Sequence, residues 1–289
     1  MNTTSPIRLG LLGFPLSHSL SPLLHQAALQ SVDLAGSYHL FEIDPEDHEQ
    51  QFPKVLSRLQ QGAINGLNVT IPYKEKVIPF LDQLTPQAAA IGAVNTLFSD
   101  RERLIGDNTD AIGFLHCLDQ LNFDPNGRIA LVFGAGGAAR AVIYSLLQQS
   151  WKVILSARSL AARQKLSQDF ANLGKPGQLI AISMEPTEIK PYTSDLKLVV
   201  NATPLGMSPD IHSSPWPFNL AFPQQAVCLD LVYNPATTLL MEFAQQNGSH
   251  AQNGMVMLVE QAAVAFKLWT GRQPDTSRMR QQLLAHFAR

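Results

Sequence analysis

The segment IALVFGAGGAAR, residues 129–140, constrains this chain more than any other. Five apolar residues suit a buried strand, and a helical pattern begins at Ala138, so the glycines between them form a strand-to-helix turn. The spacing is G-x-G-x-x-A, with Gly134, Gly136 and Ala139 at the three key positions. In such a turn the first glycine permits the tight bend. The second lets backbone N–H groups approach a pyrophosphate at the positive end of the helix, and the small third residue allows close helix–strand packing. A strand before and a helix after separate this pattern from a glycine-rich turn that holds no ligand. A Rossmann-type dinucleotide unit is expected, with Gly134, Ala135, Gly136, Gly137, Ala138 and Ala139 around the phosphates.

The charge pattern that follows bears on which dinucleotide. An NAD site usually places Asp or Glu about 20 residues on, to hold the ribose 2′-OH. Between Gly134 and Gln168 there is no acidic residue, and the charged ones are Arg140, Lys152, Arg158, Arg163 and Lys165. Arg158 falls just after the second strand, where a 2′-phosphate would sit, and a planar guanidinium suits phosphate oxygens. Lys165 reads as a solvated helix-surface charge. NADP is favoured over NAD.

Elsewhere, short apolar runs alternate with helical patterns. Strands are expected at 9–14, 38–43, 64–69, 129–133, 152–155, 198–200 and 227–231, and helices at 22–32, 45–59, 111–121, 138–148 and 160–173. The alternation predicts the α/β class, with parallel sheets covered on both faces. After Gly254 two helical patterns, 255–269 and 277–287, finish the chain. They either extend the second block or cross back to the first, which ends near Thr109. A Pro-, Ser- and Asp-rich stretch at 203–222 reads as a flap. The length of 289 residues suits two domains, at about 150 residues each.

Composition excludes several classes. Hydrophobic residues at 45% and charged residues at 15% argue against disorder. Lys+Arg is 21 and Asp+Glu 23, giving 21 − 23 = −2, which argues against a nucleic-acid or membrane-surface binder. Cys117 and Cys228 cannot form a disulfide framework, and eight scattered His with no HExxH argue against a metal. The first apolar run contains Arg8 and Pro15, unlike a secretory leader, and no stretch has the length of a membrane span. A cytoplasmic location is expected.

The polar residues of the first block fall after its strands. Ser17, Ser19 and Ser21 lie in SHSLSPLLH, Thr70 and Lys74 in GLNVTIPYK, Asn95 in IGAVNTL and Asp110 in GDNTDAIGF. Loops at the carboxyl ends of parallel strands face one crevice, and domain junctions favour small-molecule sites. Each residue taken alone also has a structural explanation. Ser21 before Pro22 suits a helix N-cap, as does Asp110; Asn95 suits a turn, Lys74 a solvated surface charge and His18 a packing role.

Together these strings resemble the shikimate dehydrogenase family, in order along nearly the whole chain. The matching segments are GFPLSHSLSPLLH, GLNVTIPYK, IGAVNTL, GDNTD, GAGGAAR, NATPLGM, DLVYNPATTLL and MLVEQAAVAFKLWTG. The resemblance implies reversible, NADPH-dependent reduction of 3-dehydroshikimate to shikimate, a step of aromatic amino acid biosynthesis. It implies a substrate-binding domain over 1–109 and 254–289, the last helices crossing back, and a Rossmann NADP-binding domain over 110–253. By the same resemblance Ser17 and Ser19 hold the substrate carboxylate, with Tyr233 nearby. Asn68, Asn95 and Gln261 bind ring hydroxyls, Thr70 lines the site, and Lys74 with Asp110 forms the catalytic pair. The glycine loop, Arg158, Ser159, Arg163 and Thr203 hold NADP, while Gly254 and Met257 lie near the nicotinamide.

The chain departs from the family pattern in three places. Ala157-Arg158-Ser159 stands where Asn-Arg-Thr is frequent, Arg163 falls one residue late for a second basic residue, and Ala111 replaces a glycine. Two rival readings remain: a quinate/shikimate dehydrogenase using NAD, and a non-catalytic dinucleotide-responsive binding protein on the same fold. Arg158 speaks against the first; the second would be free to lose Lys74 or Asp110, and both are present. Homodimer formation stays open.

Overall fold

The computed structural model describes residues 5–121 and 127–287. They form two units, residues 5–113 with 258–287, and residues 114–121 with 127–257. The first apolar run becomes β1 (Ile7–Gly13), buried over its last five residues, and leads into α1 (Ser21–Ser31). Then follow β2 (Gly36–Glu42), α2 (His48–Gln60), β3 (Gly66–Val69), β4 (Gln83–Leu84), α3 (Pro86–Ile91), β5 (Thr96–Asp100) and β6 (Arg103–Asp107). The sheet order is β2-β1-β3-β5-β6-β4. Strands β1, β2 and β3 are parallel, but β5 runs antiparallel to both β3 and β6.

The first sheet is therefore mixed, which corrects the expectation of purely parallel sheets. The cause is a two-residue hairpin: Arg101 and Glu102 both have positive φ, +49° and +65°. That is the backbone of a type I′ turn, usually signalled by Asn-Gly, and Arg-Glu carries no such signal. A second correction concerns Ser21. It is the first residue of α1 and Leu20 holds the cap position, so its hydroxyl does not cap the helix; it contacts Tyr38 instead. Helix α3 is better marked, with the Thr85 hydroxyl accepting from Ala88 N and Gly92 closing it at φ +69°. The core of this unit gathers Leu12, Phe52, Leu67, Tyr73, Val77 and Leu97. Each such side chain contributes about 1.5–3 kcal/mol on burial.

Helix α4 (Asp110–Gln120) enters the second unit. There β7 (Ile129–Phe133), α5 (Gly137–Gln148), β8 (Lys152–Ser156), α6 (Leu160–Asp169), β9 (Leu179–Ile182) and α7 (Pro186–Ile189) follow one another. The unit continues with β10 (Leu198–Asn201), β11 (Val227–Asp230), α8 (Leu239–Gln246) and β12 (Ala251–Asn253). The strand order is β12-β11-β10-β7-β8-β9, all parallel. The order reverses between β7 and β10, where such sheets open a ligand crevice. Apolar side chains fill both faces, Val132, Leu146 and Trp151 on one, Leu131, Phe133 and Trp216 on the other. The stretch read as a flap is pinned into the second core by Trp216 and Phe222, 1% and 2% exposed.

The chain ends in α9 (Met255–Thr270) and α10 (Thr276–Phe287). In the first unit α10 packs on α1, and Trp269 donates its indole N–H to Leu97 O at 3.0 Å. The same indole lies over Gly66, where a Cβ would come within 2.3 Å of the ring. Among the described residues no helix is long and apolar enough to cross a membrane.

Candidate active site

In the first unit, the turns after β3 carry Lys74 and the start of α4 carries Asp110. Buried Tyr73 anchors the first segment, its N–H donating to Thr70 O and its hydroxyl to Ile43 O. Lys74 Nζ lies 2.5 Å from Asp110 Oδ2, with the two side chains 14% and 7% exposed. Ala111 N–H is taken by Asn108 Oδ1 at 3.3 Å, so Asn108 rather than Asp110 serves the helix start. The Asp110 carboxylate is thereby left for Lys74 and for Asn95, whose Nδ2 donates to Asp110 Oδ1 at 2.9 Å.

Asn95 is held from all sides. Its Oδ1 accepts from Thr109 N at 2.7 Å and from the hydroxyls of Thr96 and Thr109, and its Nδ2 also reaches Gln261 Oε1 at 3.3 Å. Gln261 in turn donates to Leu258 O. Asn68, nearly as buried, donates to the Asn95 carbonyl oxygen and accepts from Tyr38. Lys74, Asp110, Asn95, Asn68 and Gln261 therefore form one connected network, and it was Thr96 and Thr109 that the sequence reading passed over. Both stand beside residues it did single out, in IGAVNTL and GDNTD. Ser17, Ser19 and Thr70 sit on the loops following the parallel strands β1 and β3, with Ser17 exposed and Ser19 accepting from Ser21 N. Among the described residues no cluster of His, Cys, Asp and Glu could hold a metal.

In the second unit the glycine turn divides its labour as the spacing requires. Gly134 has φ +111°, and a Cβ there would lie 2.9 Å from Ala202 O. Gly136 is extended, caps α5 without any side-chain hydrogen bond, and would point a Cβ into open space. The first N–H groups of a twelve-residue helix thus face an open cradle, which fits a pyrophosphate.

The cations sort themselves by partner. Arg140 is 3% exposed; its Nη2 lies 2.7 Å from Asp169 Oδ2 and its guanidinium rests 5.2 Å over the Phe170 ring. It is part of the fold. Lys165 also meets Asp169, at 2.9 Å. Arg158 stands exposed just past β8, and the adjacent Ser159 caps α6. Arg163 turns back to the same strand end, its Nη1 donating to Ala157 O at 2.5 Å.

Beyond β10, Thr203 donates through N and Oγ1 to Asn201 Oδ1, while Asn201 Nδ2 reaches Leu205 O and Asp230 Oδ1. Asp230 is fully buried and also accepts from Thr238 and Val232 N. Burial pushes its pKa up to about 6, outweighing those three hydrogen bonds. Asn201 and Asp230 open two of the quoted strings, yet nothing in the sequence marked them. Gly254 is required by a close approach, since a Cβ there would lie 2.2 Å from Leu231 O. Met257 is buried in this unit's core, and Tyr233 is half-buried just past β11, its phenol pKa raised by burial.

Two family models match the chain: the shikimate dehydrogenase substrate binding domain over residues 11–97, and the shikimate 5'-dehydrogenase C-terminal domain over residues 254–284. The chain is 38% identical over 274 residues to the shikimate dehydrogenase (NADP(+)) of Carboxydothermus hydrogenoformans, covering 95% of each. It is 42% identical over 266 residues to the shikimate dehydrogenase (NADP(+)) of Salinibacter ruber, covering 91% of each. It is also similar to the solved shikimate 5-dehydrogenase of Thermus thermophilus in complex with NADP(H) and shikimate. That likeness has a TM-score of 0.83 at 38% identity and covers 96% of this chain and 99% of the other.

Proposed function

The chain belongs to the shikimate dehydrogenase family, and from that premise we propose how its own residues carry the reaction. It is an NADP-dependent oxidoreductase acting on a CH–OH group, and it interconverts 3-dehydroshikimate and shikimate. The balanced reaction is 3-dehydroshikimate + NADPH + H⁺ ⇌ shikimate + NADP⁺. NADPH, when bound, supplies the hydride that reaches the carbonyl carbon. The alkoxide left on oxygen needs a proton and a neighbouring positive charge.

Lys74 provides both. Its ammonium donates to the developing alkoxide and stabilises it, a role that contributes about 10²–10⁴-fold. Asp110 holds Nζ in place and takes an adjacent hydroxyl, and Asn95 fixes Asp110 through its second oxygen. In the oxidation direction the same lysine accepts the proton. The observation that carries this reading is the 2.5 Å Lys74–Asp110 pair, nearly buried and braced by Asn95.

The remaining roles follow. The first unit is the substrate-binding one and the second holds NADP. Ser17 and Ser19 take the substrate carboxylate. Asn68, Thr70, Asn95 and Gln261 serve the ring hydroxyls. The pyrophosphate lies on the Gly134–Ala139 loop and the 2′-phosphate on Arg158 with Arg163 and Ser159, while Thr203, Gly254 and Met257 serve the nicotinamide end. An NAD-preferring relative is disfavoured by the absence of any acidic residue between Gly134 and Gln168. The buried thiols Cys117 and Cys228 suit the reducing cytoplasm.

The direct test is the growth of NADPH absorbance when the purified protein meets shikimate with NADP⁺, run beside NAD⁺. Turnover with NADP⁺ well above that with NAD⁺ supports the reading. No turnover with either cofactor refutes it.

A further inference from the structure

His25 and Tyr38 stand outside every role assigned so far. His25, on α1, is fully buried, and its ring stacks on Tyr38 of β2 with centroids 4.4 Å apart and planes 5° from parallel. Both reach one atom. Tyr38 donates its hydroxyl to Asn68 Oδ1 at 2.8 Å, and His25 Nε2 lies 3.1 Å from the same oxygen. On the far side, Asn68 Nδ2 donates to Asn95 O at 3.2 Å and to Thr96 Oγ1 at 3.4 Å.

Only one proton assignment is consistent with these contacts. A backbone carbonyl accepts and never donates, so Nδ2 must face Asn95 and Oδ1 must face His25 and Tyr38. His25 then carries its proton on Nε2 and leaves Nδ1 a bare acceptor. Nδ1 is indeed a buried atom without a hydrogen-bond partner among the described residues. Burial also pushes the pKa of His25 down to about 3, against a smaller opposing pull from its bond to Asn68. The ring is a neutral donor.

The direction set at Asn68 then propagates. Thr96 Oγ1 accepts from Asn68 and turns its own proton to Asn95 Oδ1 at 3.0 Å. That oxygen also accepts from Thr109 N–H at 2.7 Å, so Asn95 presents Nδ2 to Asp110 Oδ1 at 2.9 Å. Each bond polarises the next in the same sense, which strengthens the series. We propose that His25 and Tyr38 are positioning residues: they hold the Asn68 amide in the orientation its bond to the Asn95 carbonyl requires, and so support the series that ends on the carboxylate holding Lys74. This rests on the roles proposed for Lys74 and Asp110.

The test is a double-mutant cycle on kcat with shikimate and NADP⁺, using His25→Phe, Tyr38→Phe and the pair, each checked by thermal melting. Each single variant leaves one donor on Asn68 Oδ1 and is expected to lower kcat about 2- to 10-fold. The double variant leaves none, and its loss should exceed the product of the single losses by about fivefold or more. KM for NADP⁺ should not move, and His25→Gln, which restores an N–H donor, should recover kcat to within about twofold of wild type. Losses that simply multiply, or that appear only in KM, would overturn the proposal. A wild-type measurement needs no variant to fold: ¹⁵N shifts of the His25 ring should show a neutral imidazole protonated on Nε2, and a proton on Nδ1 would overturn the proposal. An inactive wild type would refute the proposed function, while the tautomer result would still stand by itself.

Discussion

Lys74 Nζ lies 2.5 Å from Asp110 Oδ2 while Asn95 Nδ2 holds the other oxygen of the same carboxylate at 2.9 Å. The two contacts come from separate segments, the turn after β3 and the loop leading into β5, so the carboxylate is clamped between them. This pair is largely taken out of water, whereas the Arg103–Asp100 pair is more than half exposed on both sides. An exposed pair contributes little, about 0–1 kcal/mol, whereas breaking a buried one strands a charge at about 3–5 kcal/mol.

Asp110→Asn keeps the shape and removes the charge. The amide can accept from Asn95 or from Lys74, but not from both. We expect kcat to fall about 10²-fold, within the usual span for acid–base machinery, with a smaller rise in KM for shikimate. Steady-state kinetics over a range of both substrates check this, and an unchanged kcat would remove Asp110 from the mechanism.

Gly134 and Gly136 should separate fold from binding. Gly134→Ala places a side chain at φ +111° and against Ala202 O, so stability should fall by about 1–3 kcal/mol. Gly136→Ala meets no neighbour, so stability should change by less than about 1 kcal/mol. NADP affinity should nevertheless collapse if the pyrophosphate lies where we propose, because the added methyl would stand in its place. Melting curves and calorimetric titration with NADP⁺ read the two effects; wild-type affinity in Gly136→Ala would show that the dinucleotide lies elsewhere.

Arg158→Ala should discriminate between cofactors. Losing one charge-assisted contact to a 2′-phosphate costs about 10- to 150-fold in affinity. Arg140 cannot compensate, being committed to Asp169 and Phe170, whereas Arg163 is near enough to soften the loss. The ratio of kcat/KM for NADP⁺ and NAD⁺, measured at one ionic strength, should move toward NAD⁺. Equal losses for both cofactors would mean that Arg158 serves the fold or the adenine.

Asp230 should shape the pH dependence of stability. Its folded pKa, about 6, lies above the ordinary 3.8. Between these values the native protein retains a proton that the unfolded chain has released, so stability falls as pH rises from about 4 to about 6 and levels off above. The raised value corresponds to about 3 kcal/mol over that window. Asp230→Asn keeps an acceptor for Asn201 and Val232 and abolishes the titration. Urea denaturation across the window should show a flatter profile in the variant, and identical slopes would clear Asp230 of this role.

In the second unit β7, β8, β10, β11 and the glycine turn were legible because their signals are local, whereas β9, α7, α8 and β12 were not anticipated. Buried parallel strands read as apolar runs, and β7 falls on 129–133 as expected because its bounding glycines are sharp punctuation. In the first unit β5 and β6 were invisible: their turn is built by Arg101 and Glu102 in a conformation those residues seldom adopt. The site shows the same contrast. Lys74, Asn95 and Asp110 stood out through strings that resemble a family. Thr96, Thr109 and His25 lie in the same strings and Tyr38 in none, but their roles depend on which atoms meet across separate segments, and no spacing along the chain encodes that.

The most direct measurement is kcat and KM for shikimate in folded Lys74→Ala. If Lys74 handles the proton and charge that arise in the transition state, kcat should fall by about 10²–10⁴-fold while KM changes far less. A folded variant with near-wild-type kcat, or one whose entire loss lies in KM, would contradict the mechanism and make Lys74 a bystander or a simple binding group.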